Sequence, residues 1–216
     1  MYVRKQHQWT DREEVFALIE AHALGAWVCH GADGLIANHV PFVLNRSRGA
    51  HGTLMCHVAR ATPVWRALGA GVPSVVMFRG PQAYITPGWY PGKAEHGKVV
   101  PTWNYLAVNA HGTARVVDDP AWLLGLLNRL TQVHETGRPQ PWRVGDAPAD
   151  YIDKLLRAIV GIEIPIDRLE SKCKASQDEA LEDRRGTVTG LRAERREEPG
   201  RMAEWVMKAL DAGISG

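Results

Sequence analysis

The stretch VVPTWNYLAVNAHGTARVV, residues 99–117, is the longest β-like segment of the chain. β-Branched and aromatic side chains recur along it, and these residue types favour extended strands. Shorter apolar runs, separated by turn residues, occur at 24–30, 35–44, 53–59, 74–80 and 159–172. This pattern predicts a meander of about six or seven strands.

Helical patterns flank these strands, at 11–22, 62–69, 118–130 and 149–158. Thr10 and Glu13 have the spacing of a capping box at the start of the first helix. Thr62 before Pro63 predicts the N-cap and first residue of the second. The prolines of 87–97 predict a loop. We therefore expect a mainly β fold with flanking helices, an α+β arrangement.

The carboxyl-terminal residues 179–216 differ in composition from the rest. Six arginines and six acidic residues lie within 179–201, interrupted by glycines. Because these charges cancel, we expect the arginines to pair on a helix face rather than to bind DNA. The sequence predicts a β domain over 1–178 and a charged helical tail over 179–216. The apolar residues of the tail have the spacing of a packing face: Met202, Trp205, Val206, Ala209 and Leu210.

Overall composition excludes several classes of protein. The 26 Lys and Arg residues exceed the 24 Asp and Glu residues by only two, too small a surplus for a protein that coats nucleic acid. No apolar run reaches the roughly 20 residues of a membrane-spanning helix, and the first residues lack an apolar leader core. Adjacent Cys29 and His30, like Cys56 and His57, point to opposite strand faces. We expect a cytoplasmic protein without membrane contact or metal site.

Candidate anion-binding residues lie where the strand over 53–59 runs into a predicted helix. Arg60 and Thr62 stand at the helix start. Helix amino termini present unpaired N–H groups and a partial positive charge, so a guanidinium and a hydroxyl placed there suit a phosphate. A capped helix with a surface arginine is the alternative interpretation.

Aromatic and charged side chains are dense over residues 80–105. Flat rings with interleaved cations suit a flat heterocycle that carries a phosphate. Within a strand, Thr102 and Asn104 point to one face and Trp103 to the other. The ring and the amide can therefore serve one pocket only where two subunits share it. Core filling is the alternative role for Trp103.

The end of the last predicted strand carries Lys172, Lys174, Ser176 and Gln177. These residues place two ammonium groups, a hydroxyl and an amide on neighbouring positions. Solvated lysines of an edge strand would give the same pattern. Considered together, the three groups of residues indicate one site for an anion attached to a flat ring.

Five stretches together resemble one protein family: HVARATPVW (57–65), GPQAYITPGWY (80–90), KAEHGKVVPTWNY (93–105), APADYIDKLLRAIVGIEIPIDRLESK (147–172) and KxKxSQ (172–177). The chain is similar in them to the PaiB family of FMN-binding split-barrel proteins, described as negative transcriptional regulators. The resemblance implies an FMN-binding split β-barrel over 1–178 that forms a homodimer, with flavin sites at the subunit interface.

The resemblance also implies roles for individual residues. Arg60 and Thr62 would hold the phosphate, and Lys98 would border the ring with Thr102, Trp103 and Asn104. Lys172, Lys174, Ser176 and Gln177 would reach the flavin from the last strand.

Three functions stay open at this stage. The first is an FMN-binding negative regulator of transcription that senses redox state, with DNA as a partner although no helix-turn-helix pattern is present. The second is a flavin oxidoreductase that uses NAD(P)H. The third is a haem-binding or haem-degrading barrel with His96 or His111 as an axial ligand.

Overall fold

The computed structural model describes residues 1–214. Its strands are Leu24–Gly31 (β1), Gly34–Pro41 (β2), Val43–Asn45 (β3), Thr53–Ala59 (β4), Val72–Ile85 (β5), Thr102–Val117 (β6) and Ile159–Lys174 (β7). Its α-helices are Arg12–Ala21 (α1), Val64–Ala67 (α2), Gly92–Glu95 (α3), Pro120–Glu135 (α4), Ala149–Arg157 (α5), Leu181–Ala193 (α6) and Glu197–Ile214 (α7). Short 3₁₀ helices lie at Lys5–His7, Pro87–Trp89 and Val144–Asp146.

The strands pair in the order β2-β1-β5-β6-β7-β4-β3. The registers of β1 with β2 and β5, and of β4 with β3 and β7, are antiparallel. The expected mainly β fold with flanking helices is therefore confirmed. Among the described residues, no helix is both long and apolar enough to span a bilayer.

The chain divides into two compact units. We call 1–15, 79–108 and 171–216 the first unit, and 16–78 and 109–170 the second unit. The predicted division at residue 178 into a barrel domain and a tail stays a prediction. In the first unit, α6 and α7 belong with the amino-terminal segment and with the start of β6.

The core of the second unit follows from strand alternation. Trp27 lies opposite Val76, and both side chains are fully buried. On the neighbouring pair of strands, Leu54 lies opposite Ile164, and these are also fully buried. Side chains at every second position of a strand share one face of the sheet. The alternation of apolar residues in the sequence therefore predicts which side chains form this core.

Two predicted helix starts shift by one residue. Asp11, not Thr10, caps α1, since its Oδ1 accepts a hydrogen bond from the Glu14 N–H at 3.1 Å. Pro63 stands at the N-cap of α2, and no side chain caps that helix. Thr62 instead donates its own N–H to the Ala59 carbonyl at 2.9 Å, as part of the turn that leaves β4. The geometry of the local turn determines where α1 and α2 begin, and helix propensity alone does not predict these positions.

The predicted loop over 87–97 contains helical turns. The Thr86 hydroxyl accepts from the Gly88 N–H at 3.1 Å and caps the 3₁₀ turn Pro87–Trp89. The Gly92 N–H at the start of α3 donates to Asp183 Oδ1 at 3.0 Å. This contact joins residues far apart in sequence, so no local pattern predicted it.

Glycines inside α6 allow a close approach of that helix to Trp89. A Cβ added at Gly186 would lie 2.0 Å from the Trp89 carbonyl oxygen, and one at Gly190 would lie 2.2 Å from the Trp89 ring. We expected these glycines to interrupt a helix, but both lie inside α6. Because glycine has no Cβ, it leaves room for the close approach of Trp89. The face of α7 packs as predicted: Met202, Val206 and Leu210 are buried, and Trp205 meets Trp9 edge to face at 5.1 Å.

Replacement of Gly186 tests this packing. We expect Gly186→Ala to lower the free energy of unfolding by about 1–3 kcal/mol, since the new methyl group collides with main chain that cannot yield. Gly200→Ala in α7 is the matched control, because nothing lies within 4 Å of a Cβ added there. Its free energy of unfolding should stay equal or rise by up to about 1 kcal/mol. Urea unfolding measures both, and equal effects would contradict the packing argument.

Candidate functional site

A cavity of about 490 Å³ lies within the first unit. Its volume falls within the range of roughly 300–1,000 Å³ that is typical of ligand pockets. The amino-terminal segment, the start of β6 and the end of β7 supply its walls: Tyr2, Arg4, His7, Val100, Thr102, Trp103, Tyr105, Lys172, Lys174, Asp178 and Glu179. Cations and aromatic rings therefore line one space.

Two lysines of β7 give the cavity its positive charge. Lys172 Nζ lies 5.0 Å from the centre of the Tyr105 ring and donates to the Tyr2 carbonyl at 3.4 Å. Lys174 Nζ donates to the Thr102 hydroxyl. These hydrogen bonds go to neutral oxygens, while the carboxylates of Asp178 and Glu179 line the same cavity. Lys172 and Lys174 are the candidate groups for binding an anion there.

Trp103 presents an aromatic ring rather than filling the core. It is 52% exposed and packs edge to face against Tyr84, with ring centres 6.1 Å apart. The β6 side chains on either side of it, Thr102 and Asn104, contact Lys174 and Ser176 instead. The alternation of the strand thus separates the ring from the amide.

Asn104 and Ser176 form a buried polar pair. Asn104 Nδ2 donates to Ser176 Oγ at 2.8 Å, and both side chains are buried. Ser176 has φ 61°, a conformation unusual outside glycine. The amide oxygen Oδ1 of Asn104 has no partner among the described residues. Burial of a polar group without a hydrogen-bond partner costs free energy. The hydrogen bond to Ser176 is the contact that offsets this cost for the Asn104 amide.

Gln177 shapes the turn that follows β7. Its Oε1 accepts from the Ala175 N–H at 2.7 Å, and its Nε2 donates to the Cys173 carbonyl at 2.7 Å. Arg184 of α6 donates to the Gln177 carbonyl at 3.1 Å. The KxKxSQ ending therefore places Lys172 and Lys174 at the cavity, while its Ser and Gln bind protein groups.

The remaining predicted residues lie outside the cavity lining. In the second unit, Arg60 pairs with both carboxylate oxygens of Asp118, at 2.5 and 3.0 Å, and this bonding lowers the pKa of Asp118. Its guanidinium also donates to the carbonyls of Arg157 and Ile159. Thr62 belongs to the turn before α2. Lys98 is exposed, and its N–H donates to His96 Nδ1 at 3.0 Å.

Sequence reasoning missed the cavity residues at the amino terminus and after β7. These are Tyr2, Arg4, His7, Asp178 and Glu179. A signal was present, since the first seven residues, MYVRKQH, combine an aromatic ring with three basic side chains.

His7 is the most enclosed of these residues. Its side chain is 3% exposed, and its Nε2 lies 3.5 Å from Asp178 Oδ1. That nitrogen makes no hydrogen bond to any described residue. Burial lowers the pKa of His7, and Lys172 and Lys174 lower it further, while Asp178 opposes the shift.

The two histidines considered as haem ligands are already engaged. His111 Nε2 lies 3.1 Å from Glu170 Oε2, and His96 Nδ1 accepts from the Lys98 N–H. Among residues 1–214, no group of three His, Cys, Asp or Glu side chains could hold a metal ion.

Removal of the Ser176 hydroxyl tests the buried pair. We expect Ser176→Ala to lower the free energy of unfolding by about 1–3 kcal/mol, because the buried Asn104 amide then loses its partner. Ser47→Ala, at an exposed serine that also forms a side-chain hydrogen bond, should change it by no more than about 0.5 kcal/mol. Chemical unfolding measures the free energy of unfolding of both variants. An unchanged value in Ser176→Ala would show that water hydrogen-bonds to the Asn104 amide in place of the serine.

Comparison with known proteins agrees with this architecture. The family described as "Putative FMN-binding domain" matches residues 1–168. The chain is 34% identical over 198 residues to an uncharacterized protein of Aspergillus fumigatus, covering 73% of this chain and 76% of that protein. It is 29% identical over 214 residues to the "Protease synthase and sporulation protein PAI 2" of Bacillus subtilis, covering 99% of this chain and 100% of that protein.

A solved structure shows the same fold. The FAD and heme binding protein from Mycobacterium smegmatis superimposes with a TM-score of 0.60 at 22% identity, over 82% of this chain and 78% of that chain. At this identity the likeness concerns the fold alone, and it confirms the expected split-barrel class. With the family match over most of its length, the chain belongs to the FMN-binding split-barrel family that includes the PaiB-type proteins.

Proposed function

We propose that this protein binds FMN in the cavity of the first unit. One observation carries the proposal: in a chain of an FMN-binding family, the exposed Trp103 ring adjoins a cavity that also holds Lys172 and Lys174. An aromatic face and cations are the two features that a flat ring bearing a phosphate requires.

The donor set of the cavity fits such a ligand. Trp103 and Tyr105 offer rings against which a flavin ring would stack. Lys172 and Lys174 form their hydrogen bonds to neutral oxygens and are the candidate groups for binding an anion. When bound, FMN supplies one- and two-electron transfer chemistry, and the protein orients it and limits access of water.

Binding of FMN and riboflavin tests the role of the lysines. We expect Lys174→Gln to weaken FMN about tenfold or more, because a charge-assisted hydrogen bond to phosphate is lost. Riboflavin, which has no phosphate, should change far less. Lys154→Gln, at an exposed lysine of α5, is the control and should bind FMN as the unaltered protein does. Flavin fluorescence titration measures all three proteins, and an absence of flavin binding by the unaltered protein would refute the proposal.

We propose Arg60 and Thr62 of the second unit as the alternative phosphate ligands to Lys172 and Lys174, as the resemblance implies. If Arg60 exchanges Asp118 for the phosphate, Arg60→Ala should weaken FMN about tenfold more than riboflavin. Asp118→Asn, which frees the guanidinium, should leave FMN binding equal or stronger. Equal losses of FMN and riboflavin in Arg60→Ala would assign Arg60 to folding alone.

We further propose a PaiB-type negative regulator that acts on transcription through a partner and responds to the flavin. The arginines of the carboxyl-terminal helices support an indirect route. Arg185 pairs with Glu182 at 2.7 Å, and Arg201 pairs with Glu197 at 2.7 Å. Such pairs leave little net charge for DNA phosphates. Retention on DNA that falls steeply with salt would favour a direct route instead.

A flavin oxidoreductase is the second candidate. The exposed Trp103 and Tyr84 rings form an aromatic surface next to the cavity, where a second flat ring such as a nicotinamide could stack. Steady oxidation of NAD(P)H by the flavin-loaded protein would establish this function. The absorbance spectrum of the same sample tests the haem alternative, since bound haem gives a Soret band.

A homodimer is also part of the proposal, with the start of β6 at its interface. Exposed aromatic residues are costly in water and are enriched at protein interfaces. We expect the protein to be dimeric in light scattering at micromolar concentration and Trp103→Glu to be monomeric. Trp142→Glu, at a similarly exposed tryptophan of the second unit, is the control and should stay dimeric. A monomeric unaltered protein would contradict the proposal.

We also propose that this protein acts in the cytoplasm. Cys29, Cys56 and Cys173 are all buried free thiols. Unpaired cysteines are usual in reducing compartments, where disulfides are rare.

A further inference from the structure

The histidine in the cavity wall is not used by the proposed function. His7 is buried and its Nε2 forms no hydrogen bond with a described residue, although Asp178 Oδ1 lies 3.5 Å away. Buried polar atoms in native proteins are almost always satisfied, so an exception needs an explanation. A partner that forms only in one protonation or ligand state would provide one.

Five other charged residues line the cavity together with His7. Arg4 lies on its own segment, and Lys172 and Lys174 project from β7. Asp178 and Glu179 follow β7 and carry the opposing charge. Arg4 lies 3.7 Å from Asp178, whereas Lys172 and Lys174 form their hydrogen bonds to neutral oxygens and share the cavity with Asp178 and Glu179.

We propose that His7 takes up a proton when an anion binds beside Lys172 and Lys174, so that mild acidification strengthens ligand binding at this cavity. The inference rests on the proposed function for its ligand, the phosphate of FMN or another anion. An anion offsets the positive charge of the lysines, and this removes the repulsion that opposes a proton on His7. By linkage, the proton then favours the anion to the same extent.

An acceptor for the N–H of protonated His7 lies nearby, since Asp178 Oδ1 is 3.5 Å from Nε2. A protonated imidazole donates from both nitrogens, so Nε2 gains Asp178 Oδ1 as an acceptor. The same contact draws Asp178 toward His7 and away from the anion. Because Nε2 is enclosed, His7 is a positioning residue that acts through the charge of the cavity rather than by touching the ligand.

Calorimetry measures the proposed coupling directly. We expect FMN to bind the unaltered protein with uptake of up to one proton, read from binding heats in two phosphate-free buffers of different ionisation enthalpy. Between pH 8 and pH 5.5, FMN affinity should rise about three- to tenfold more than in His7→Gln. The phosphate of FMN titrates equally in both proteins, so the difference isolates His7. His51→Gln, at an exposed histidine, should match the unaltered protein.

Two further titrations identify the anion. If the phosphate of FMN is the anion, riboflavin should bind without the proton uptake that depends on His7. If a separate anion is bound, inorganic phosphate added to the riboflavin complex should restore that uptake. Both results support the inference, whereas the same proton uptake in His7→Gln and the unaltered protein would overturn it.

Failure of the proposed function can be told apart from failure of this inference. If the unaltered protein binds no FMN, the proposed function fails, and proton uptake on binding inorganic phosphate alone then decides the inference. Should His7→Gln fold poorly, an NMR titration of His7 in the unaltered protein gives the same decision. Its pKa should rise on addition of the anion, and a pKa that does not rise would overturn the inference.

Discussion

The hydrogen bonds that join the start of β6 to the end of β7 and to the turn after it organise the first unit. Asn104 bonds to Ser176 in the interior, and Thr102 accepts from Lys174 at the cavity. Neither bond joins neighbours in sequence, so each contributes only once the strands are in register. A slip of one residue would invert every side chain of the strand and take the lysines away from the aromatic rings. The cavity therefore depends on this pairing.

The turn after β7 stabilises the position of Lys174 through the hydrogen bonds of its own side chains. Ser176 adopts a positive φ, and Gln177 satisfies both ends of the turn with its side chain. A strained residue persists only where surrounding bonds determine its conformation. Two of the residues expected to touch a flavin thus bind protein groups in the structure, and they hold Lys174 in place.

Close contact with Trp89 explains the glycines of the carboxyl-terminal region. Composition alone predicted a charged helical tail in which the arginines and acidic residues pair, because the charges of the region cancel. The structure uses two of the glycines to bring α6 against Trp89. The same region provides Asp183, which caps α3 through Gly92. Through these contacts, α6 is part of the packed structure of the first unit.

By itself, the sequence determined a mainly β chain of about six or seven strands, the helices over 11–22, 118–130 and 149–158, and the residue types of a ring-and-anion site. These features follow from periodicity and from chemistry that adjacent residues share, as in the segment 99–117. Only the tertiary structure decided that Lys172 and Lys174 meet Trp103 at a cavity, that Arg60 is taken by Asp118, and that His7 belongs to the cavity wall. The physical reason is that these contacts join residues distant in sequence, so strand register and burial decide them, and local propensity carries no information about either.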